Sequence, residues 1–226
     1  MIEDTVHRLA RQGGIRCVSG AGTTGDVVKR SLPIHHPASA SGDAAPSPDE
    51  PVRPTTAHRQ RWAVETMAVA SGDTVLEIGC GRGAAVSLVA SRLTTGRIVA
   101  IDRAATMVRL ATKRNIAHIN AGRADIRRVG FESADLDSLR FDKIFAVNVS
   151  MFWLGDATQQ IERMRSLLTP GGRLYVFGER PTAAHATANV TSTTLLLEDH
   201  GFATTTASAT RGKGQVLTCV SGTPIG

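Results

Sequence analysis

The sequence predicts an alternating α/β domain that finishes in an antiparallel hairpin and is preceded by a disordered N-terminal tail. Three observations carry this expectation. Short β-favouring apolar runs alternate with segments of helical periodicity from about residue 58 onward. The first of those runs opens into a glycine-rich turn, TVLEIGCGRG, Thr74 to Gly83. All nine aromatics lie beyond residue 61, whereas six of the nine prolines fall between Pro33 and Pro54. The front of the chain thus offers too little large apolar surface to offset its ordering entropy, and residues 1–55 read as tail, 56–226 as folded domain.

Each element has its own signal. In residues 58–70, HRQRWAVETMAVA, the apolar Trp62, Val64, Met67 and Val69 suit a helix packed by one face, which Ser71, Gly72 and Asp73 break. Val75, Leu76 and Ile78 then make a short buried strand. Gly79, Gly81 and Gly83 follow at every second position, where the backbone can bend tightly and approach a ligand without Cβ interference. Ala84 to Leu93 repeats Val86, Val89, Ala90 and Leu93 at helical spacing, and RIVAID is a second strand with Asp102 at its carboxyl end. A long helix from Ala104 to about Ala121 carries Met107, Leu110, Ala111 and Ile116 on one side. ADIRRV is a polar strand suited to a sheet edge, closed by Gly130, Phe131 and Glu132.

FDKIFAVNV, Phe141 to Val149, is nearly continuous in apolar residues, as parallel strands buried on both faces are. Asp156 is the expected N-cap of a helix with Gln159 three residues on and Ile161, Met164 and Leu168 as its stripe. Thr169 to Gly172 reads as the turn into a strand at Arg173 to Phe177, and Ala183 to Asp199 as a helix ended by Gly201. FATTTASAT and QVLTCVSG, joined through Arg211 to Gly214, give the hairpin.

Cys17, Cys80 and Cys219 form no CxxC pair, which fits neither a disulfide framework nor a zinc site and points to a reducing cytoplasm. The first residues, MIEDTVHRLARQGG, lack an apolar leader core, and no uncharged run approaches the ~18 residues of a membrane span, so no membrane partner is expected. Seven basic residues lie between Arg103 and Arg128 within a net charge of +6. Such a stripe suits nucleic acid or an anionic substrate, but it contains no aromatic for base stacking and reads foremost as a solvated helix face.

The glycine turn by itself fits more than one ligand. Gly79, Gly81 and Ala84 satisfy the GxGxxG/A fingerprint of dinucleotide enzymes, with Asp102 about twenty residues on where a ribose-binding acid belongs. Glu77 is more particular: a carboxylate at the end of a strand built for burial needs a partner, which a ligand's hydroxyls or ammonium would supply.

With Glu77 two residues before the first glycine, the GxGxG repeat and the terminal hairpin, the chain resembles the class I S-adenosylmethionine-dependent methyltransferases over about residues 58–226. VLEIGCGRG matches that family's first motif, IVAID its second strand, FDKIFAVNV its fourth and LLTPGGRLYVF its fifth. The resemblance implies a three-layer, doubly wound, mostly parallel seven-stranded sheet whose last strand is antiparallel. It also implies S-adenosyl-L-methionine as cofactor, lying across the carboxyl ends of the first strands. Its expected contacts are Glu77, Gly79, Cys80, Gly81 and Gly83, then Asp102 on the ribose hydroxyls, with Asn148 completing the set. Many members carry an acid after the third strand for the adenine amino group. This chain has Val129, Gly130, Phe131 there, so adenine is expected on Gly130 and the Phe131 backbone with Arg103 over the ring, and Asp125 is a lesser contact.

In-line transfer from a sulfonium draws mostly on alignment and needs a base only when the acceptor must lose a proton. Weak base candidates are Glu179 and His185, while Phe152 and Trp153 would line an acceptor pocket and His58, Arg59 and Trp62 would form a lid. Asn148 to Trp153 lacks the Asn/Asp-Pro-Pro-Tyr/Phe signature of nucleobase and glutamine methylation, and no metal site is predicted. The expectation is a small-molecule O- or N-methyltransferase. The alternatives are an RNA or protein methyltransferase using the 103–128 stripe and, further off, an NAD(P)-dependent oxidoreductase or a non-catalytic nucleotide-binding module. If residues 1–55 are a tail, a chain lacking residues 1–50 keeps its melting temperature within a few degrees; calorimetry checks this, and a large drop would show that the segment is structural.

Overall fold

The structure is a computed structural model, and it describes residues 54–152 and 157–226. Residues 1–53 of the expected tail, Trp153 and Asp156 lie outside the described residues, whereas Pro54 and Thr55, expected in the tail, open the first helix. Helix α1 (Pro54–Met67) precedes β1 (Thr74–Ile78), α2 (Ala84–Ala90), β2 (Arg97–Asp102), α3 (Ala105–Asn120) and β3 (Ala124–Arg128). β4 (Phe141–Val147), α4 (Thr158–Leu167), β5 (Leu168–Arg180), α5 (Ala183–Asp199), β6 (Phe202–Thr210) and β7 (Val216–Pro224) follow. No described helix is long and apolar enough to cross a membrane.

The strands form one seven-stranded sheet in the order β3-β2-β1-β4-β5-β7-β6. β1 pairs in parallel with β2 on one side and β4 on the other, so the chain reverses its direction of winding between β1 and β4. At such a switch point the connections leave a crevice above the carboxyl ends of the strands. β7 inserts antiparallel between β5 and β6, with Phe177 opposite Cys219 and Ala207 opposite the same residue. The three-layer, doubly wound sheet with its closing hairpin is therefore present as expected.

Side-chain alternation explains the layers. Along β1, Val75 joins a core with Ala63, Val64 and Met67 of α1 and Val86 and Val89 of α2, while Leu76 and Ile78 join the opposite core with Phe131, Ile161, Met164 and Leu197. β3 is only partly buried, as a polar edge strand should be.

Several boundaries differ from the sequence reading. The helix expected at 58–70 runs Pro54–Met67, because Ala68 turns to φ 47° and leaves helical geometry. β4 stops at Val147 rather than Val149, because Asn148 reverses the backbone at φ 55°. The turn expected at Thr169 to Gly172 lies inside β5 as an irregularity, with Phe141 opposite Leu168 but Lys143 opposite Arg173. Thr169 holds it there, its hydroxyl donating to the Phe141 carbonyl at 3.3 Å and to Asp142 Oδ1 at 3.0 Å.

Gly83 joins the first motif to α3. It sits at φ 69°, and a Cβ there would lie 2.6 Å from Asn115 Nδ2 and 2.8 Å from the Ala111 Cβ. Fully buried Asn115 uses that closeness, donating to the Gly83 and Ala111 carbonyls at 3.0 and 2.9 Å. Gly83→Ala is expected to cost about 1–3 kcal/mol, through left-handed strain plus overpacking. Gly122→Ala, at φ 70° in open space, is expected to show the backbone component alone, at the lower end of ~1–2 kcal/mol. Urea unfolding of both variants separates the two contributions.

Candidate functional site

A cleft of about 360 Å³ opens above the carboxyl ends of β1, β2 and β4. Gly79, Asp102, Arg103, Gly130 and Phe131 line it together with Ile78, Ile101 and Val149. These elements meet here because the sheet switches direction between β1 and β4.

The floor is the glycine turn, with Gly79, Gly81 and Gly83 at φ 73°, 52° and 69°. A Cβ on Gly79 would fall 2.7 Å from Val149 Cγ2, whereas one on Gly81 would meet nothing within 4 Å. Four amides of the turn, those of Gly79, Cys80, Gly81 and Gly83, are spent internally. Gly79 and Cys80 donate to the Ile101 carbonyl at 2.9 and 3.0 Å, and Gly83 donates to Cys80 O at 2.9 Å. Gly81 donates to Asp102 Oδ2 at 2.9 Å, and the other oxygen of that carboxylate accepts from the Ala104 amide at 2.8 Å. Asp102 thus ties the turn after β1 to the turn after β2.

Glu77 is 1% exposed, and its Oε2 has no hydrogen-bond partner. Burial, reinforced by the charge of Asp102, pushes its carboxyl well above the ordinary 4.5. Two carboxylates and a turn whose amides are engaged disfavour a pyrophosphate, which wants free N–H donors at a helix start. They suit a ligand that brings hydroxyls and a cation. Cys80 points into the core beneath the turn, 4% exposed, and burial there pushes its thiol upward.

The far wall is the segment after β3. Arg163 of α4 holds it, its guanidinium donating to the carbonyls of Phe131 and Ala134 and lying 5.2 Å from the Phe131 ring centre. Asp125 is turned to Arg127 at 2.7 Å and does not line the cleft. Gln160, one turn before Arg163, does line it. The sequence reading missed both residues, although their three-residue spacing on a helix places them on one face.

Other residues singled out in the sequence lie apart from the cleft. Asn148 is exposed, and its Oδ1 accepts from the Glu179 amide at 2.8 Å. Glu179 itself is clamped by Arg59 at 2.5 Å and Arg211 at 3.2 Å, so each of its oxygens faces a guanidinium. His185 sits in the N-cap of α5, its ring Nδ1 2.7 Å from the Thr182 hydroxyl. Trp62 packs edge-on to Phe177 at 5.7 Å, His58 is exposed, and Phe152 is buried in the core. Of the basic stripe only Arg103 reaches the cleft; Arg109, Lys113, Arg114 and Arg128 are exposed on α3 and β3.

Residues 75–172 match the profile of a family described as a methyltransferase domain. A trans-aconitate 2-methyltransferase of Escherichia coli O157:H7 is 35% identical over 123 residues, 53% of this chain and 46% of that one. The chain matches between 44% and 61% of the length of the first curated relatives. Among solved structures, an S-adenosylmethionine-dependent methyltransferase from Aquifex aeolicus superposes with TM-score 0.59 at 18% identity, covering 72% of this chain and 88% of that one. A geranyl diphosphate methyltransferase in complex with S-adenosylmethionine gives TM-score 0.58 at 12% identity, covering 75% and 85%. These structures share the fold.

The raised carboxyl of Glu77 yields a signed expectation. A group whose folded pKa lies above its unfolded value contributes stability below the unfolded pKa and loses it as pH rises through the folded pKa. The unliganded protein should therefore lose stability as pH climbs from about 4.5. Glu77→Gln removes that dependence, so its melting temperature relative to wild type should rise between pH 5 and pH 8. Parallel melting curves of the two proteins across that range would show the carboxylate to be compensated.

Proposed function

We propose that the chain is a class I S-adenosylmethionine-dependent methyltransferase that transfers a methyl group from S-adenosylmethionine to a small-molecule acceptor, a reading supported by the match of residues 75–172 to a methyltransferase domain and by the fold shared with such enzymes. The observation that carries the reading is the unpartnered, buried Glu77 Oε2 beside a glycine turn whose amides are already used. Such a floor needs a ligand that donates hydrogen bonds and carries positive charge. It would be a poor seat for a dinucleotide.

The residues present fit that cofactor. Glu77 and Asp102 would accept from its ammonium and ribose hydroxyls, each charged bond worth on the order of 1.5–3 kcal/mol. Gly79, Cys80, Gly81 and Gly83 would let the backbone pass beneath it, and Arg103, Gly130 and Phe131 would enclose the base. Asn148 would act through the β4–β5 edge. Bound there, S-adenosylmethionine supplies an electrophilic methyl on a sulfonium, open to in-line displacement. The chain's own task is then to align an acceptor and exclude water. Glu179 and His185 both lie off the cleft with hydrogen-bonding partners, so we assign the acceleration to positioning rather than to either as base.

A small acceptor is supported by the relative named for trans-aconitate and by the exposed stripe residues, which apart from Arg103 stand away from the cleft. The buried, unpaired Cys80 and Cys219 are consistent with a reducing compartment, the cytoplasm in our reading. Calorimetric titration with S-adenosylmethionine, S-adenosylhomocysteine and NAD tests the proposal, and tight NAD binding without response to either sulfur compound overturns it. Asp102→Ala is expected to weaken S-adenosylhomocysteine at least about tenfold, the equivalent of one charged hydrogen bond, while the domain stays folded by circular dichroism.

A further inference from the structure

The cleft is polar at one end and apolar at the other. Asp102 and the glycine turn form the polar end, whereas Ile101, Val129, Phe131, Val149 and Met151 form an apolar slot between the carboxyl ends of β2 and β4. A flat aromatic base belongs in the slot, because its faces are apolar and its ribose must reach Asp102. An adenine, however, also carries an amino group on its edge, and a donor brought into an apolar slot costs free energy unless something accepts from it.

The residue on this wall suited to that task is Gln160. It lines the slot from α4, and its Oε1 is shielded from solvent with no hydrogen-bond partner. Its position is fixed from below, because Arg163 one turn on is bound to the Phe131 and Ala134 carbonyls and stacked on the Phe131 ring. Its terminal amide turns about a soft torsion and can present the oxygen to a donor in the slot. Asp125, the acid nearest in sequence, is held by Arg127 away from the slot. Glu132 lines the cleft but is solvent-exposed, where an acceptor discriminates weakly.

Resting on the cofactor reading above, we propose that Gln160 accepts a hydrogen bond from the 6-amino group of the adenine and so distinguishes adenine from a purine that lacks this group. A purine with hydrogen at position 6 brings no donor to this edge and leaves the shielded Gln160 oxygen without a partner. Sites that satisfy a buried polar group with one ligand reject the analogue lacking it more strongly than apolar pockets do.

The test is calorimetry on the full chain with S-adenosylhomocysteine and its counterpart carrying hydrogen in place of the 6-amino group. Wild type is expected to prefer the adenine compound by about tenfold or more. Gln160→Met, which keeps length and volume, should reduce that preference to less than about threefold, with melting temperature equal to or above wild type because an unpartnered amide has been removed. Glu132→Gln should keep the wild-type preference. An undiminished preference in Gln160→Met overturns the inference while leaving the cofactor reading intact, as does loss of the preference in Glu132→Gln alone. Failure of wild type to bind either compound overturns the cofactor reading, and this inference with it.

Discussion

The cleft depends on one carboxylate that binds two turns together. Asp102 accepts from Gly81 with one oxygen and from Ala104 with the other, and the preceding carbonyl of Ile101 takes the amides of Gly79 and Cys80. Two consecutive residues at the end of β2 thereby hold the amides of Gly79, Cys80 and Gly81. The glycines are required because three positions of that turn adopt positive φ. With its amides engaged, the turn contributes shape and close approach, and the chemical selectivity falls to the acids beside it. This is the physical difference from a phosphate-cradling loop, in which the same glycine spacing leaves N–H groups free for an anion.

Glu77 shows the complementary side of that arrangement. A buried carboxyl without a partner destabilises its own domain, and its proximity to Asp102 deepens the effect. Strand β1 would pack better with an apolar residue at this position, flanked as it is by Leu76 and Ile78. The unpaired acid makes sense where a ligand completes it, and such a ligand then stabilises the fold by mass action. Stability and binding are opposed at this one position, which is why the most informative residue of the site is also the least favourable one for the empty domain.

Much of this was legible in the sequence because it depends on local pattern. Strand and helix alternation, the turn glycines, Glu77, Asp102 and the terminal hairpin all write themselves into contiguous residues with periods of 2 or 3.6. What escaped depends on distant pairs. Nothing local at Gln160 or Arg163 reveals that α4 will underlie the segment after β3, some 30 residues earlier in the chain. Glu179 looked like a free acid at a strand end, yet its partners are 120 residues before it and 32 after. The TPGG segment read as a turn from composition alone, and only the Thr169 contacts with Phe141 and Asp142 place it within the sheet.

Those distant pairs also connect the end of β5 with the cleft. Glu179 gathers Arg59 from α1 and Arg211 from the β6–β7 turn, so these elements converge on the end of β5 rather than on the cleft floor. The link between the two sides runs through residues 148–151. Asn148 accepts from the Glu179 amide and reverses the backbone, which carries Val149 and Met151 into the cofactor wall, with Val149 against Gly79. α1 also reaches the cleft floor from below, its Ala63, Val64 and Met67 sharing a core with Cys80 of the turn and Val86 of α2. The Asp102 network is built entirely from β1, β2 and their turns.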